Sequence, residues 1–468
     1  MFQQEHQTSS WLNTNHPLII ASSGGNGHIS AALSLIQQLS QQQKTLKHHY
    51  ISKPRNKKLS IETLIWGALY FFNIPLIKKL SQLEKKYYIP SPFQLKKEKM
   101  SLLKQQKAHH QRPYIDYLLD LLPNGYLYTA IFNLLQSQGH GKSLNTVSKG
   151  QVFLDRFYKK PISQQLQKLL EQAIIDGNPF DSIISTQALG LPAICHAVNV
   201  YNQKIPQLEK KHQKSLFPIQ IHQFITDIPK ASALHYLKPL QSIKAQEKNY
   251  LSIHLLKLDE QSIFAEQNLA KHFYFYAPEQ NPMIRTELRK KNYFHDFWGF
   301  NVLWINHKMI ACQPKEKIAV LMLSSAQGQT TLDYLKALIQ KNIEHIAIVG
   351  KTCRSIQKQI YKLQQQSPSK IYLLGHLNAK NLRKILNAAH LLIIKGGGLS
   401  LMELASFKLR PDCKILIHHP KINLEADSSQ GLIWEDGNIQ WFLEYCKNNQ
   451  KNALLSNPLM IDHHLSEI

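Results

Sequence analysis

The sequence predicts an α/β protein with two doubly wound domains, each a mostly parallel sheet covered by helices. Short apolar runs that fit buried strands alternate with stretches of helical periodicity, in two series separated by a polar, proline-containing segment at 313–316. The chain has 468 residues, which exceeds the usual size of one domain. We therefore predict an N-terminal domain at 1–312 and a C-terminal domain at 313–468.

A glycine-rich turn follows the first predicted strand, at 17–21, and precedes a helical pattern from Ile29 to Leu39. The glycine spacing differs from the dinucleotide-binding fingerprint, and no acidic residue lies at 44–52 to hold a ribose. A P-loop needs a lysine before Ser or Thr, and His28 stands at that point. These departures exclude the standard NAD- and ATP-binding loops. The candidate residues of this turn are Gly24, Gly25, Asn26, Gly27 and His28.

A second turn of the same kind lies at 391–406. Four apolar residues predict a short buried strand, three glycines allow a sharp turn, and Ser400 with Glu403 has the spacing of a capping box that starts a helix. The first N–H groups of a helix have no partner within it, and the helix dipole is positive at that end. We therefore hypothesise that a nucleotide diphosphate binds at Gly396, Gly397 and Gly398.

The remaining elements continue the alternation in chain order. In the N-terminal domain we predict an insertion at about 44–150, with helices at 114–122 and 126–135 and a loop at 139–149, then helices at 163–175 and 191–198 and strands at 180–186, 218–227 and 273–276. In the C-terminal domain we predict strands at 317–323, 346–349, 372–374 and 415–417, helices at 331–340 and 379–389, and a closing helix from about Gln440. Ligands gather at the carboxyl ends of parallel strands, and Asp227 and Gly350 lie at such ends.

The predicted insertion is strongly basic. Sixteen Lys and Arg face three Glu at 44–112, so this region holds about half of the net charge of +25. It also contains an apolar run at 63–77, which is shorter than the about 20 residues of a bilayer span. Aromatic residues beside lysines suit a segment lying in the interface of an anionic membrane. The candidate membrane contacts are Trp66, Tyr70, Phe71 and Phe72.

Two other interpretations of this region stay open. An apolar run that contains proline also fits a buried core segment, and a basic surface with aromatics also binds nucleic acid. We find no zinc finger, RNA-binding signature or basic zipper in the sequence, which disfavours nucleic acid.

The five cysteines are scattered and indicate neither disulfides nor a zinc site, and residues 1–16 lack the apolar core of a signal peptide. We expect a cytoplasmic location, peripheral on the inner face of the cell membrane.

Four motifs together resemble the GT-B glycosyltransferases. They are 22–28, 184–186, 226–229 and 395–403, in the order expected of the group that contains monogalactosyldiacylglycerol synthases, processive diacylglycerol glucosyltransferases and the GlcNAc transferase that forms lipid II. The resemblance runs from about residue 17 to about residue 440. It implies two Rossmann-like domains facing a cleft, and an inverting hexosyltransferase that needs no metal or other cofactor. A UDP-sugar would be the donor and a lipid the acceptor.

The resemblance also assigns roles to individual residues. His28 would lie close to the reacting centre, and Asp227 would be a second candidate for the base or for the group that orients it. The donor would contact Gly396, Gly397, Gly398, Ser400, Glu403 and Gly350, with Glu403 on the ribose hydroxyls and Glu425 and Asp427 near the sugar.

Each of these roles has a plainer structural alternative. Glu403 would instead complete the capping box with Ser400, His28 would be a loop histidine in solvent, and Asp227 would cap the turn before Pro229.

Two other functions fit the same fold. One is a non-hydrolysing UDP-sugar 2-epimerase, and the other is a membrane-docked protein that binds a nucleotide sugar without turning it over.

Overall fold

The computed structural model describes most of both predicted domains but little of the predicted insertion. The described residues are 10–14, 16–20, 26–42, 114–115, 145–146, 151–186, 190–228, 237, 239–257, 273–285, 301–305, 308–313, 316–323, 328–350, 352, 354–407, 409–419 and 433–465.

The first sheet has six parallel strands in the order β2-β1-β3-β4-β5-β6. The strands are β1 Pro17–Ile20, β2 Tyr114–Ile115, β3 Ser182–Ser185, β4 Gln220–Phe224, β5 Leu251–Leu256 and β6 Phe273–Tyr276. The next two strands in the chain, β2 and β3, lie on opposite sides of β1. Such a switch point opens a crevice at the carboxyl ends of the strands.

The second sheet also has six parallel strands, in the order β11-β10-β9-β12-β13-β14. The strands are β9 Ile318–Met322, β10 His345–Val349, β11 Lys370–Gly375, β12 Leu391–Lys395, β13 Lys414–His418 and β14 Ala453–Ser456. In sequence order this is 3-2-1-4-5-6, the order of a doubly wound Rossmann sheet, with its switch point between β9 and β12. An antiparallel hairpin of β7 Asn301–Ile305 and β8 Lys308–Cys312 lies between the two sheets in sequence.

Ten α-helices have both ends in the described part of the chain. They are α1 Asn26–Gln42, α2 Gln151–Ile175, α3 Leu191–His212, α4 Ala245–Lys248, α5 Gly328–Gln340, α6 Arg354–Gln365, α7 Ala379–Ala388, α8 Gly398–Ser406, α9 Ile433–Asn448 and α10 Ile461–Leu465. The strands β1, β3, β10 and β13 are buried along their whole length, because helices cover both faces of a parallel sheet. This arrangement confirms the predicted pair of doubly wound, Rossmann-like domains.

Several elements differ from the sequence prediction. Tyr114–Ile115, predicted as the start of a helix, is instead a short edge strand beside β1. The closing helix begins at Ile433 rather than near Gln440, and the strand β14 and the helix α10 follow it. Residues 145–146, predicted in a loop, are helical. The prediction also omitted β5, the β7–β8 hairpin and α6. The apolar runs of these strands are short, and the sequence of α6 is mostly polar.

A buried carboxylate joins three helices on one side of the first sheet. Glu247 of α4 is 2% exposed, and its carboxylate accepts hydrogen bonds from Lys159 Nζ at 3.1 Å and His196 Nδ1 at 2.8 Å. The backbone N–H of Lys244 donates to the same carboxylate at 3.2 Å. Burial raises the pKa of Glu247, but the hydrogen bonds from His196, Lys159 and Lys244 outweigh it and hold the pKa below its ordinary value.

We expect Glu247→Gln to lower the free energy of unfolding at pH 7 by about 1–3 kcal/mol, because it removes the charge that these donors satisfy. A depressed carboxyl pKa stabilises the fold above the unfolded pKa, and this stabilisation is lost as pH falls through the folded pKa. The difference between wild type and variant should therefore shrink below about pH 4.5. Urea unfolding at several pH values measures it.

The matched control is Asp176→Asn, since Asp176 accepts one exposed hydrogen bond from Gln172. This control should change stability by no more than about 0.5 kcal/mol. A pH-independent loss for Glu247→Gln would contradict the electrostatic explanation.

Candidate functional site

The carboxyl ends of three neighbouring strands of the first sheet meet around His28. This histidine lies in the first turn of α1, which follows β1, while Thr186 follows β3 and Thr226 follows β4. The three residues line a small cavity of about 20 Å³ together with Gln223 and Asp227. His28 thus lies at a switch-point crevice, and its role near a reacting centre stays a prediction. The interpretation of His28 as a loop histidine in solvent is wrong, because the residue is half-buried and hydrogen-bonded.

The hydrogen bonds of His28 determine which ring nitrogen carries its proton. Nδ1 lies 2.6 Å from the carbonyl oxygen of Thr186 and 2.9 Å from Oγ1 of Thr226. A carbonyl oxygen can only accept, so in the neutral ring Nδ1 holds the proton and Nε2 keeps its lone pair. The hydroxyl of Thr186 in turn donates to the carbonyl oxygen of His28 at 2.9 Å. Thr186 thus holds the histidine through two reciprocal contacts.

The second glycine turn connects β12 to α8, as the sequence predicts, but the helix begins earlier than expected. Its N-cap is Gly397 and its first residue is Gly398, which places Ser400 inside the first turn. The predicted capping box of Ser400 and Glu403 is therefore wrong. The reason is that the bare glycine backbone can enter the helix directly, so no side-chain cap is needed.

Two of the three glycines are required for close packing. A Cβ on Gly398 would collide with the carbonyl oxygen of Thr226 and lie 2.8 Å from Cα of Asp227. A Cβ on Gly396 would lie 2.6 Å from side-chain atoms of Ile439 in α9. Gly397 has room among the described residues, because the nearest of their atoms to an added Cβ would be Oγ of Ser400 at 4.0 Å. An anion therefore has its most open approach to this turn at Gly397.

Asn438 of α9 joins the glycine turn to the first domain, and no sequence pattern predicted it. Its side chain is fully buried. Oδ1 accepts from the backbone N–H of Ile228 at 2.6 Å, and Nδ2 donates to Oδ1 of Asp227 at 3.0 Å and to the carbonyl oxygen of Gly396 at 3.1 Å. Asp227, which sequence reasoning placed at a strand end, is thus held at the contact between the domains.

Glu403 also forms a contact between the domains. Its two carboxylate oxygens accept from Nε and Nη2 of Arg285 at 2.8 and 2.9 Å, and only 8% of the residue is exposed. A bidentate pair occupies about two of the four lone-pair sites of a carboxylate. The remaining sites leave room for hydroxyl donors, so ribose binding by Glu403 stays a prediction. Arg285 was missed because it lies 118 residues away in sequence.

A charged group lies at the carboxyl edge of the second sheet, where β12 and β13 end. Nζ of Lys395 pairs with Glu435 at 2.7 Å, and Nε2 of His419 pairs with Asp436 at 3.1 Å. Burial, followed by the neighbouring His419 and Lys395, lowers the pKa of His418 to about 4, so His418 is neutral at pH 7. Both acids come from the first turn of α9, where the helix dipole favours them.

The other predicted site residues have varied positions. Gly350 follows β10 in the left-handed region with φ of 105°, which only glycine adopts readily, and bridges to Gly375. Asn26 and Gly27 begin α1. The predictions for Gly24, Gly25, Glu425, Asp427, Trp66, Tyr70, Phe71 and Phe72 lie outside the described residues.

A separate groove of about 590 Å³ lies beside the hairpin strand β8 and the amino-terminal end of β11, with Lys308, Lys370 and Tyr372 in its lining. Ligands of doubly wound sheets bind at the carboxyl ends, so we place the site at His28 and the glycine turn.

Among the described residues, no helix has the length and apolar character needed to cross a bilayer. The same part of the chain contains no group of three or more His, Cys, Asp or Glu arranged to hold a metal ion.

Comparison with known proteins gives structural likeness only. No family model matches the sequence, and no curated protein sequence matches it significantly. Similar solved structures include MurG from Acinetobacter baumannii, 11% identical with a TM-score of 0.43, covering 97% of this chain and 90% of MurG. A UDP-N-acetylglucosamine 2-epimerase is 11% identical with a TM-score of 0.34, covering 64% and 73%. Os79 from O. sativa, in complex with UDP and deoxynivalenol-3-glucoside, is 10% identical with a TM-score of 0.32, covering 62% and 69%.

These likenesses are too weak to carry an argument by themselves, so the fold is defined by the two parallel sheets and their strand orders. Two Rossmann-like domains in one chain, in contact at the carboxyl edges of their sheets, constitute a GT-B architecture.

The glycine turn offers a matched pair of substitutions. Gly398→Ala should lower the free energy of unfolding by about 1–3 kcal/mol, because the methyl group meets backbone atoms that cannot move aside. Gly397→Ala should cost no more than about 1 kcal/mol, the usual loss when alanine replaces glycine at an N-cap, since no atom of a described residue comes closer than 4.0 Å to the added methyl group. Chemical denaturation of both variants measures the difference, and equal stabilities would contradict the close approach at Gly398.

The Arg285–Glu403 pair can be tested by a double-mutant cycle. Arg285→Met leaves the Glu403 carboxylate buried and without its bidentate partner, and should cost roughly 2–4 kcal/mol. Adding Glu403→Leu should recover much of this loss, because it removes the stranded charge. Urea unfolding of the four proteins gives the coupling energy, and additive losses would show that the two residues act independently.

Proposed function

We propose that this protein is an inverting glycosyltransferase that moves a sugar from a UDP-sugar to a lipid acceptor at a membrane surface, with no metal or other cofactor. The observation that carries the proposal is the tautomer of His28, which has its proton on Nδ1 and its lone pair on Nε2. Its Nδ1 donates to the Thr186 carbonyl, so Nε2 is free to accept a proton at the switch-point crevice of the first sheet. His28 also contacts Thr226, whose carbonyl packs against Gly398 of the second domain.

The proposed step transfers a proton and a sugar together. The acceptor hydroxyl gives its proton to Nε2 of His28, and its oxygen forms a bond to the anomeric carbon of the donor. The bond between that carbon and the β-phosphate oxygen breaks on the opposite face, so UDP leaves with the bonding electron pair and the configuration inverts. Asp227 lines the same cavity as His28 and would orient the hydroxyl or the base.

The donor would bind at the carboxyl edge of the second sheet. The N-terminus of α8 offers backbone N–H groups and the positive end of a helix dipole to the diphosphate, with the most open approach at Gly397. Glu403, oriented by Arg285, would accept from the ribose hydroxyls. These donors would stabilise the negative charge that develops on UDP.

The lipid acceptor and membrane surface are supported by the sequence. The excess of Lys and Arg at 44–112 and the aromatic run at 63–77 suit an anionic leaflet, and each basic residue near it would add on the order of 1 kcal/mol. The motif resemblance points in the same direction. We expect binding to vesicles to weaken as salt concentration rises.

The test is an assay of labelled UDP-glucose, UDP-galactose and UDP-N-acetylglucosamine, each offered to anionic vesicles that contain diacylglycerol or a polyprenyl-linked acceptor. We expect one donor to label lipid, and His28→Ala to lower kcat about 10²–10⁴-fold because the base is removed. The matched control is His463→Ala, an exposed histidine at the other end of the chain, which should keep full activity.

The other outcomes identify the alternatives. Full activity of His28→Ala would overturn the proposed base. Conversion of UDP-N-acetylglucosamine without any acceptor would show an epimerase instead. Tight binding of UDP with no product from any donor would show a nucleotide-sugar-binding protein without turnover.

A further inference from the structure

The buried amide of Asn438 is used almost completely by hydrogen bonds at the contact between the domains, two of which cross to the first domain. It accepts from Ile228 and donates to Asp227 and Gly396, which uses three of the four hydrogen bonds that an amide side chain can make. The residue is fully buried, so it has little capacity left for a ligand. Its hydrogen bonds therefore serve to hold the segment 226–228 against the glycine turn.

The same segment holds the ring of His28. Oγ1 of Thr226 lies 2.9 Å from Nδ1 of His28, and the carbonyl of Thr226 packs against Gly398. One short stretch of backbone after β4 thus contacts the proposed base on one side and the second domain on the other. A shift of this stretch would change the hydrogen bond that helps to orient the imidazole.

We propose that Asn438 is a positioning residue for the transfer reaction, acting on His28 through Thr226 although it lies in the other domain. The proposal rests on the proposed function, in which Nε2 of His28 is the base. Asn438 fixes the backbone at Asp227 and Ile228, this backbone fixes the Thr226 hydroxyl, and the hydroxyl together with the Thr186 carbonyl fixes the ring. A change at the glycine turn or at α9 can therefore reach the base without touching it.

Kinetics of Asn438→Ala, Thr226→Val and the double variant test the route. Each single variant should lower kcat about 10- to 100-fold, because small displacements of a catalytic group are costly. The affinity for UDP, measured by calorimetry, should stay within about threefold of wild type, and the double variant should lose no more than the more damaging single variant. Thr226→Ser, which keeps the hydroxyl, should restore most of the activity.

Two results would overturn the proposal. One is a multiplicative loss in the double variant, and the other is a loss of UDP affinity in Asn438→Ala with kcat unchanged. Thermal unfolding checks that the variants fold. Asn438→Asp gives a second test if the alanine variant does not fold, since the carboxylate still accepts from Ile228 but donates to neither Asp227 nor Gly396; its expected kcat loss is the same.

A measurement without turnover separates this inference from the proposed function. The ¹⁵N spectrum of ¹⁵N-histidine-labelled protein reports the His28 tautomer, with the signal assigned by its absence in His28→Ala. We expect the Nδ1-protonated form in wild type and in both variants, because the Thr186 carbonyl is kept. The Nδ1 chemical shift should nevertheless change in Asn438→Ala as it does in Thr226→Val, because the contact with the Thr226 hydroxyl is altered in both. An unchanged Nδ1 shift in Asn438→Ala would overturn the coupling. If wild type transfers no sugar but the shift responds, the positioning stands and the proposed reaction fails.

Discussion

The close approach of two backbones, at Gly398 of the second domain and at Thr226 and Asp227 of the first, is the constraint on which the site depends. No side chain larger than glycine fits between them, and the buried amide of Asn438 satisfies the polar groups on both sides. An unpaired polar group at such a place would cost about 1–3 kcal/mol. Packing and hydrogen bonding thus fix the same contact, and His28 is held beside it through Thr226.

Charged side chains around this contact are paired across elements rather than left facing solvent. Arg285 meets Glu403 across the domains, and Lys395 meets Glu435 where β12 and α9 adjoin. A buried charge loses its hydration, and only a well-aligned partner offsets that loss. Among the described residues, the positive groups Arg285 and Lys395 at this contact thus already have carboxylate partners when an anionic ligand approaches. An anion that binds there either displaces the carboxylate of one of these ion pairs or binds beside it.

The sequence predicted the fold well wherever apolar runs were short and bounded by turns. The strands at 17–20, 391–395 and 414–418 are fully or almost fully buried, and helices on both faces make their sequences continuously apolar. Boundaries were less predictable, because helix ends depend on local hydrogen bonds that composition does not report. The helix α8 illustrates this, since it begins at Gly398 without a side-chain cap.

The sequence alone determined the two doubly wound domains, the two glycine turns, the position of His28 at the end of the first turn and that of Asp227 at a strand end, because these follow from local periodicity and backbone freedom. Only the tertiary structure decided what those residues contact. The partners of Glu403, His28 and Asp227 lie 118, 158 and 211 residues away, and no local pattern encodes such pairs. The glycines show the difference most clearly. Their conformational freedom can be predicted from the sequence, but the close contacts of Gly398 with Thr226 and of Gly396 with Ile439 form only when the chain packs.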